Sequence, residues 1–524
     1  MRQGYRSNAF SSLQVSREDL LTRPAGENWP SYNGDYTGRR FSILQQINHS
    51  NVAQMRAAWV FHPGNAQRLE ATPVVIRGVM YLTSANDVFA LDARTGRTLW
   101  HYARPVSSGL LDDAAAHKSR GVAVWRQFVY SETDDAHLLC LDARSGNLLW
   151  DVQYAEASKQ YGATSAPLVV NDEVIVGTSG GDSGVRGFVA AYDAMKGTLK
   201  WRLWTIPGPG EFGSASWPGD SYLHGGGTTW MPGTYDPELK TLYWTTSNAA
   251  PDFDGDSRQG DDLYTACLLA IDATTGKLKW YFQFTPHDVY DYDANETPVL
   301  VDEVEKDAPR HLLVQANRNG FFYVLDRTNG KFLRAIPFVK KLNWATEIDA
   351  SGRPLLSGRV PTKEGTYICP GIIGATNWFS PSYNPNTGLF YVMALENCNV
   401  YFAKPKPFTQ GETFYSTGTK LPRNEQSNKI LMALSPSKGK KVWSYPQVGR
   451  GNSLGGTLTT AGRLVFFGDD AESFEAVDAE TGRALWHFNT GQSFSASPMT
   501  YAIDGTQYVT ICAGSDVFSF ALPH

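Results

Sequence analysis

A chain of 524 residues with a formal net charge of −5 offers no basic face for nucleic acid, and none of its apolar runs approaches the ~20 residues that span a bilayer. Its 49 glycines and plentiful aromatic side chains suit many strands and tight turns, although length alone suggests about three domains at ~150 residues each. The start, Met1-Arg2-Gln3-Gly4, lacks the apolar core of a signal peptide, so the chain is cytosolic or its leader has been removed.

In chain order, residues 1–28 read as an N-terminal extension, and Ala58-Trp59 is the first trace of a repeat. The pattern D-x-x-x-G-x-x-x-W then occurs five times at unchanged spacing, from Asp92 to Trp100, Asp142 to Trp150, Asp193 to Trp201, Asp272 to Trp280 and Asp478 to Trp486. Two weaker copies lie among them: Asp326 to Gly330 lacks the tryptophan, and Ser435-Gly439-Trp443 has lost the aspartate. Each copy has an apolar or alternating strand before the Asp, a turn whose Gly takes a positive φ, and a strand ending in Trp, which together make a β-hairpin. A hairpin cannot bury its own apolar face. About eight such units at spacings of roughly 40–50 residues therefore predict an all-β, eight-bladed β-propeller with tryptophans docked between blades. A repeat running from end to end makes residues 1–524 one domain. The segment around Trp59 and the strand Tyr508-Val509-Thr510-Ile511-Cys512 are predicted to share the closing blade, which removes free sheet edges.

Some segments between the repeats imitate catalytic motifs. Gly177-Thr178-Ser179-Gly180-Gly181 fits the hydrolase elbow, and Gly181-Asp182-Ser183-Gly184 looks like a serine-protease nucleophile segment, but no helix pattern follows either. Asp252-Phe253-Asp254-Gly255-Asp256 has the outline of a calcium loop, yet its glycine comes too early and its twelfth position is Leu263, so a solvated loop is expected. His287 has no partner histidine at metal spacing and reads as structural. The densest carboxylates lie in His287-Asp288-Val289-Tyr290-Asp291-Tyr292-Asp293. In an extended chain Asp291 and Asp293 project to one side, where their repulsion requires a cation, most simply a hard metal, while Asp288 falls on a face assigned to structure. Taken alone, the segment reads first as a solvent-facing loop and only second as a metal site. Five cysteines are too few and too scattered for a disulfide scaffold or a zinc site. The absence of C-x-x-C-H excludes a covalent c-type haem and assigns any electron carrier to another chain.

The repeats, together with Gly181-Asp182-Ser183-Gly184-Val185-Arg186-Gly187, Thr245-Thr246-Ser247-Asn248, Pro286-His287-Asp288 and Asn317-Arg318-Asn319-Gly320, closely resemble the pyrroloquinoline quinone (PQQ) dependent alcohol dehydrogenases, from Trp29-Pro30 to about Ala521. The resemblance implies a propeller holding PQQ and a calcium or lanthanide ion on its axis. It implies oxidation of a small alcohol to an aldehyde or ketone, with electrons passed to a separate acceptor such as cytochrome c. It further implies a periplasmic location, and it leaves a homodimer open. Carried across by residue, it gives Asp182 and Asn248 as metal ligands, Asp291 as catalytic base and metal neighbour, and Asp293 as the added ligand that suits a lanthanide. Arg318 lies beside the reactive carbonyl, Trp230 stacks on the quinone, and Arg120, Thr164, Ser179, Gly180, Gly181 and Asn377 make polar contacts to it. A flat, anionic, aromatic cofactor needs such a stacking face, cationic donors and a metal. Cys369 and Cys398 match a bridged pair in that family; Cys140, Cys267 and Cys512 should be reduced and buried. Three positions depart: the family's adjacent cysteines fall on Ala114 and Ala115, its metal-ligating glutamate is the shorter Asp182, and a frequent tryptophan is Leu454. The competing reading is a non-catalytic propeller serving as a scaffold or binding platform.

Overall fold

The computed structural model describes residues 13–523 apart from 65–67, 112–116, 306–307 and 450–452. The repeat turns share a common construction, most complete at Asp142 and Asp272. The Asp side chain accepts amides two and three residues on, as Asp142 Oδ1 does from Arg144 and Ser145 (3.1 and 2.9 Å) and Asp272 Oδ1 from Thr274 and Thr275 (3.1 and 2.9 Å). The glycine closes the turn at positive φ, 73° at Gly146, and its missing side chain makes room for the neighbouring blade. A Cβ on Gly146 would lie 2.6 Å from the Trp100 ring, and one on Gly482 would lie 2.6 Å from Trp443. The same tryptophans donate their indole N–H to the next turn, Trp100 to Ala143 O at 3.0 Å and Trp443 to Ala479 O at 3.1 Å. A tyrosine adds a second tie, with Tyr81 and Tyr391 donating to those same two carbonyls at 3.0 and 2.9 Å. The weak copies are compensated. Arg334 stands where a Trp is missing, covers Gly439 and donates to Ser437 O at 2.7 Å, while Ser435 Oγ replaces the absent carboxylate by accepting from the Lys438 amide at 3.3 Å.

These hairpins belong to eight sheets of at least four strands among the described residues. In chain order seven of them run from Val74–Ile76 to Arg97–Tyr102, Ala123–Trp125 to Leu148–Gln153, Leu168–Val170 to Leu199–Trp204, Thr234–Asp236 to Leu278–Gln283, Val299–Glu305 to Lys331–Pro337, Ser382–Asn384 to Lys440–Pro446 and Thr457–Thr460 to Ala484–Asn489. The eighth joins Met499–Ile503, Thr506–Ala513 and Asp516–Ala521 to Arg56–Phe61, with Trp59 opposite Ser519. Both ends of the chain thus close one blade, as the sequence predicts, and the molecule is an eight-bladed β-propeller. Fourth strands such as Leu148–Gln153 alternate exposed and half-buried residues, whereas the second and third are buried throughout or nearly so, which puts the fourth strand at the rim.

In an antiparallel blade the segment entering the first strand and the segment leaving the second emerge on one face. The long insertions 205–233, 246–266, 284–298, 338–381 and 397–427 all fall at such positions and gather at one end of the ring. Cys369 and Cys398 form a disulfide between two of them, and Cys140, Cys267 and Cys512 are free and buried. At the start of the described chain, Val15 bridges to Arg126, and Leu13, Val15 and Leu20 are buried against the second sheet, with the short helix Arg17–Leu21 capped by Ser16 and Asp19.

Candidate active site at one end of the ring

A cavity of about 260 Å³ opens at this face, lined by Lys118, Arg120, Thr164, Ser179, Gly180, Gly181, Asp182, Ser183, Thr228, Trp230, Asn248, Asp291, Asp293, Arg318, Ile372, Ile373, Asn377, Trp378 and Tyr415. All twelve residues that the resemblance selected line it. Blade topology explains the convergence: Arg120, Thr164, Trp230, Asp291 and Asn377 precede first strands, while Ser179 to Asp182, Asn248 and Arg318 follow second strands.

Asp291 and Asp293 do not sit on a strand, as the alternation of their side chains suggests from sequence. They occupy an irregular loop in which Asp291 has φ 60°, a left-handed conformation that Asp tolerates better than most residues. The buried Asp288 shapes this loop by accepting the amides of Tyr290 and Tyr292, both at 2.9 Å, which fits its structural assignment. The required cation is also partly in the chain itself. Arg318 donates Nη2 to Asp291 Oδ2 and Nη1 to Asp293 Oδ2, each at 3.0 Å, and Nη2 to Ile372 O at 2.6 Å. Gly374 allows this placement, since a Cβ there would collide with the Arg318 side chain.

Asn248 binds the two acidic groups together. Its amide donates to Asp293 Oδ1 at 2.6 Å, and its side-chain Nδ2 lies 3.4 Å from Asp182 Oδ1. Tyr415 donates to Asp182 Oδ2 at 3.0 Å. On the opposite wall, Arg120 is sandwiched between the rings of Trp230 and Trp378, 4.9 and 4.7 Å from their centroids, and pairs with the buried Glu70 at 2.8 Å. Lys118 joins Glu70 at 3.2 Å. Asn377 donates to Ile373 O at 2.8 Å, and Leu454 packs with Trp230 and Trp378 where the family often has a tryptophan. Ala114 and Ala115 lie outside the described residues.

Burial raises the Asp291 carboxyl well above the usual carboxylate range; Arg318 opposes the shift, and Asp293, Asp182 and Asp288 reinforce it. Arg318 thus offsets part of the effect of burial, and a metal ion beside Asp291 would act in the same direction. Burial followed by backbone donation and Arg258 leaves Asp288 at about 6.

The Asp252 segment is corrected too. Asp252, Phe253 and Asp254 are buried rather than solvated, and Asp252 shares the electrostatic field of Asp182, Asp291 and Asp293. His287 Nδ1 lies 3.1 Å from the buried Asp262 carboxylate, outside the cavity. Gly181–Ser183 is a single 3-10 turn and not a strand-to-helix elbow. Glu70, Lys118 and Tyr415 were not singled out from sequence. Lys118 and Tyr415 come to light by lining the cavity and Glu70 by pairing with Arg120 and Lys118, because no local spacing distinguishes them from core or surface residues.

The arrangement fits a flat anionic cofactor with a cation. Trp230 gives it a half-buried aromatic face, Lys118 and Arg120 give positive charge, and Ser179 Oγ, Ser183 Oγ and Arg318 Nε are buried without a hydrogen-bond partner. Among the described residues no three His, Cys, Asp or Glu side chains close around a metal by themselves, so a cation here needs further oxygen donors from the amide of Asn248 and from the cofactor.

The family model for the PQQ β-propeller domain of glucose, ethanol and alcohol dehydrogenases matches residues 29–340 and 437–509. The chain belongs to this family. It is 41% identical over 516 residues to the quinohemoprotein alcohol dehydrogenase ADH IIB of Pseudomonas putida, covering 94% of this chain and 74% of that protein. It is 37% identical over 536 residues to the quinoprotein alcohol dehydrogenase PedH of the same species, covering 95% and 88%. Among solved structures, a europium-containing methanol dehydrogenase superposes with a TM-score of 0.87 at 31% identity, covering 96% of this chain and 99% of that one.

Proposed function

We propose that this protein oxidises an alcohol to the aldehyde or ketone with PQQ and a metal ion, and passes the electrons to a separate acceptor such as a cytochrome c. The observation that carries this reading is the clamp of Arg318 on Asp291 and Asp293, facing the same cavity as Asp182, Asn248 and Trp230. A scaffold that used the propeller only as a platform has no need for a buried acidic cluster opposite an aromatic and cationic wall.

When bound, PQQ supplies a two-electron acceptor at a carbonyl that the cation polarises as a Lewis acid. Trp230 provides the face for the ring system, and Lys118, Arg120, Thr164, Ser179, Gly180, Gly181 and Asn377 surround its polar groups. Asp182 and the Asn248 side chain would hold the ion, and Asp291 and Asp293 would add negative charge beside it. Asp291 takes the hydroxyl proton of the alcohol on the oxygen that Arg318 leaves, Oδ1. Arg318 fixes that carboxylate and presents positive charge to the cavity.

The ion is a lanthanide in this reading, because Asp293 adds a third carboxylate beside Asp182 and Asp291, and a solved relative contains europium. The shorter Asp182 in place of glutamate leaves more room at the ion. Asp293→Ala should therefore reduce lanthanum-supported turnover more than calcium-supported turnover; equal turnover with the two ions, unchanged by the substitution, excludes the lanthanide assignment. The disulfide between Cys369 and Cys398 supports a periplasmic location, where such bonds persist. The test of the activity is reconstitution with PQQ and calcium or lanthanum, followed by a panel of primary and secondary alcohols with an artificial electron acceptor. Saturable turnover that requires both PQQ and the ion is expected, and a fully loaded protein inert towards every alcohol contradicts the proposal.

A further inference from the structure

Asp252 is a carboxylate with nothing to hold it. Its side chain is 0% exposed, and neither Oδ1 nor Oδ2 has a hydrogen-bond partner. An ionised group in that state is costly, and proteins retain one where a ligand or an opposite charge compensates it.

The fold ties it to the cation-holding residues from three directions. Asp252 follows Asn248 by four positions on the same insertion. Its neighbour Phe253 packs on Tyr415 at 5.8 Å, and Tyr415 donates to Asp182 Oδ2 at 3.0 Å. Arg258 donates Nη2 to Pro251 O and Asp252 O at 3.1 and 3.4 Å and to Asp288 O at 2.7 Å, joining this turn to the loop of Asp291 and Asp293. Arg258 itself is paired with the buried Asp262. Burial raises the Asp252 carboxyl well above the usual carboxylate range, Asp182, Asp291 and Asp293 reinforce the shift in falling order, and Arg258 opposes it.

We propose that Asp252, behind the residues that line the cavity, adds a fourth acidic charge to the field at the cation site and sets the preference for a trivalent over a divalent ion. This rests on the reading of the cavity as a PQQ and metal centre. Asp182, Asp252, Asp291 and Asp293 stand against the guanidinium of Arg318, the nearby Arg258 being already paired with Asp262, and that excess is one that three positive charges balance and two do not. The unpartnered carboxylate is then a cost of the metal-free protein that binding of the ion relieves.

Calorimetric titration of PQQ-loaded protein with lanthanum chloride and with calcium chloride tests this on Asp252→Asn, an isosteric change. The ratio of lanthanum to calcium affinity should fall roughly tenfold or more, since one charge removed costs a trivalent ion more than a divalent one. The melting temperature of the metal-free variant should equal or exceed that of the wild type, because a buried amide is cheaper than a buried charge. An unchanged affinity ratio overturns the inference, whatever the stability, and so does a variant whose metal-free form melts lower with its selectivity intact. Asp182→Ala separates the two layers of the argument. If it abolishes binding of both ions while Asp252→Asn leaves selectivity unaltered, only the role of Asp252 falls; if the wild type binds neither ion, the metal centre falls with it.

Discussion

Glu132 shows what burial does to a single carboxyl. It closes a second strand, is buried, accepts from Tyr154 at 2.9 Å through Oε2, and leaves Oε1 without a partner. Burial pushes it up to about 8 from 4.5, with the Tyr154 bond opposing. A carboxyl raised in the fold stabilises below its unfolded value and loses that contribution as pH climbs through the folded one, so this term disappears between about 4.5 and 8. Glu132→Gln should therefore raise the melting temperature at pH 8.5 and change it little at pH 5; an equal effect at both values contradicts the assignment. Asp288 makes a different case, because its two oxygens each accept an amide. Asp288→Asn retains one acceptor and should cost ~1–3 kcal/mol in chemical denaturation while lowering turnover far less than a change at Asp291. A loss of turnover as large as that at Asp291 would show that Asp288 takes part in the chemistry.

The hairpin was the unit most legible in the sequence, because Asp, Gly and Trp each have a separate physical job in it: amide acceptor, positive φ and inter-blade plug. Gly146→Ala should destabilise by ~1–3 kcal/mol, since a methyl group both strains φ and strikes Trp100. Gly505 has a similar φ, 79°, but open space around it, so Gly505→Ala should cost clearly less. Equal costs measured by urea unfolding would assign the repeat glycine to backbone conformation alone. The site was legible only in part. Residues within motifs, such as Asp182, Asn248 and Arg318, could be carried over by resemblance, and the cavity brings all of them together. The loop of Asp291 and Asp293 was misread as extended because period-two spacing also arises in irregular chain, where Asp288 and a left-handed Asp291 impose the convergence. The segment of Asp252 was misread as solvated for a related reason. A run of acids beside Gly has the composition of a solvated turn, and its burial follows from the packing of Phe253 on Tyr401 and Tyr415.

At the scale of the whole molecule, the ring fixes which segments meet. Both chain ends close one blade, so the acidic and aromatic walls of the cavity keep their separation without a domain hinge. The disulfide spans 29 positions and pins the insertion bearing Ile372, Ile373 and Asn377 to the one after Glu396. Replacing both cysteines by serine should cost about 3.6 kcal/mol on the loop-entropy scale and weaken PQQ retention more than it alters the blades. Unaltered PQQ affinity together with unaltered stability would leave the bridge without a role at the site.

The central claim is that Asp291 is the base of an alcohol oxidation run on this end of the propeller. Its most direct test is alcohol-dependent reduction of an artificial acceptor by PQQ- and metal-loaded wild type and Asp291→Asn, side by side, with bound PQQ measured from its absorbance. Turnover should fall ~10²–10⁴-fold in the variant at comparable PQQ occupancy, since shape is kept and the proton acceptor is lost. Full turnover by a PQQ-loaded Asp291→Asn protein would contradict the account.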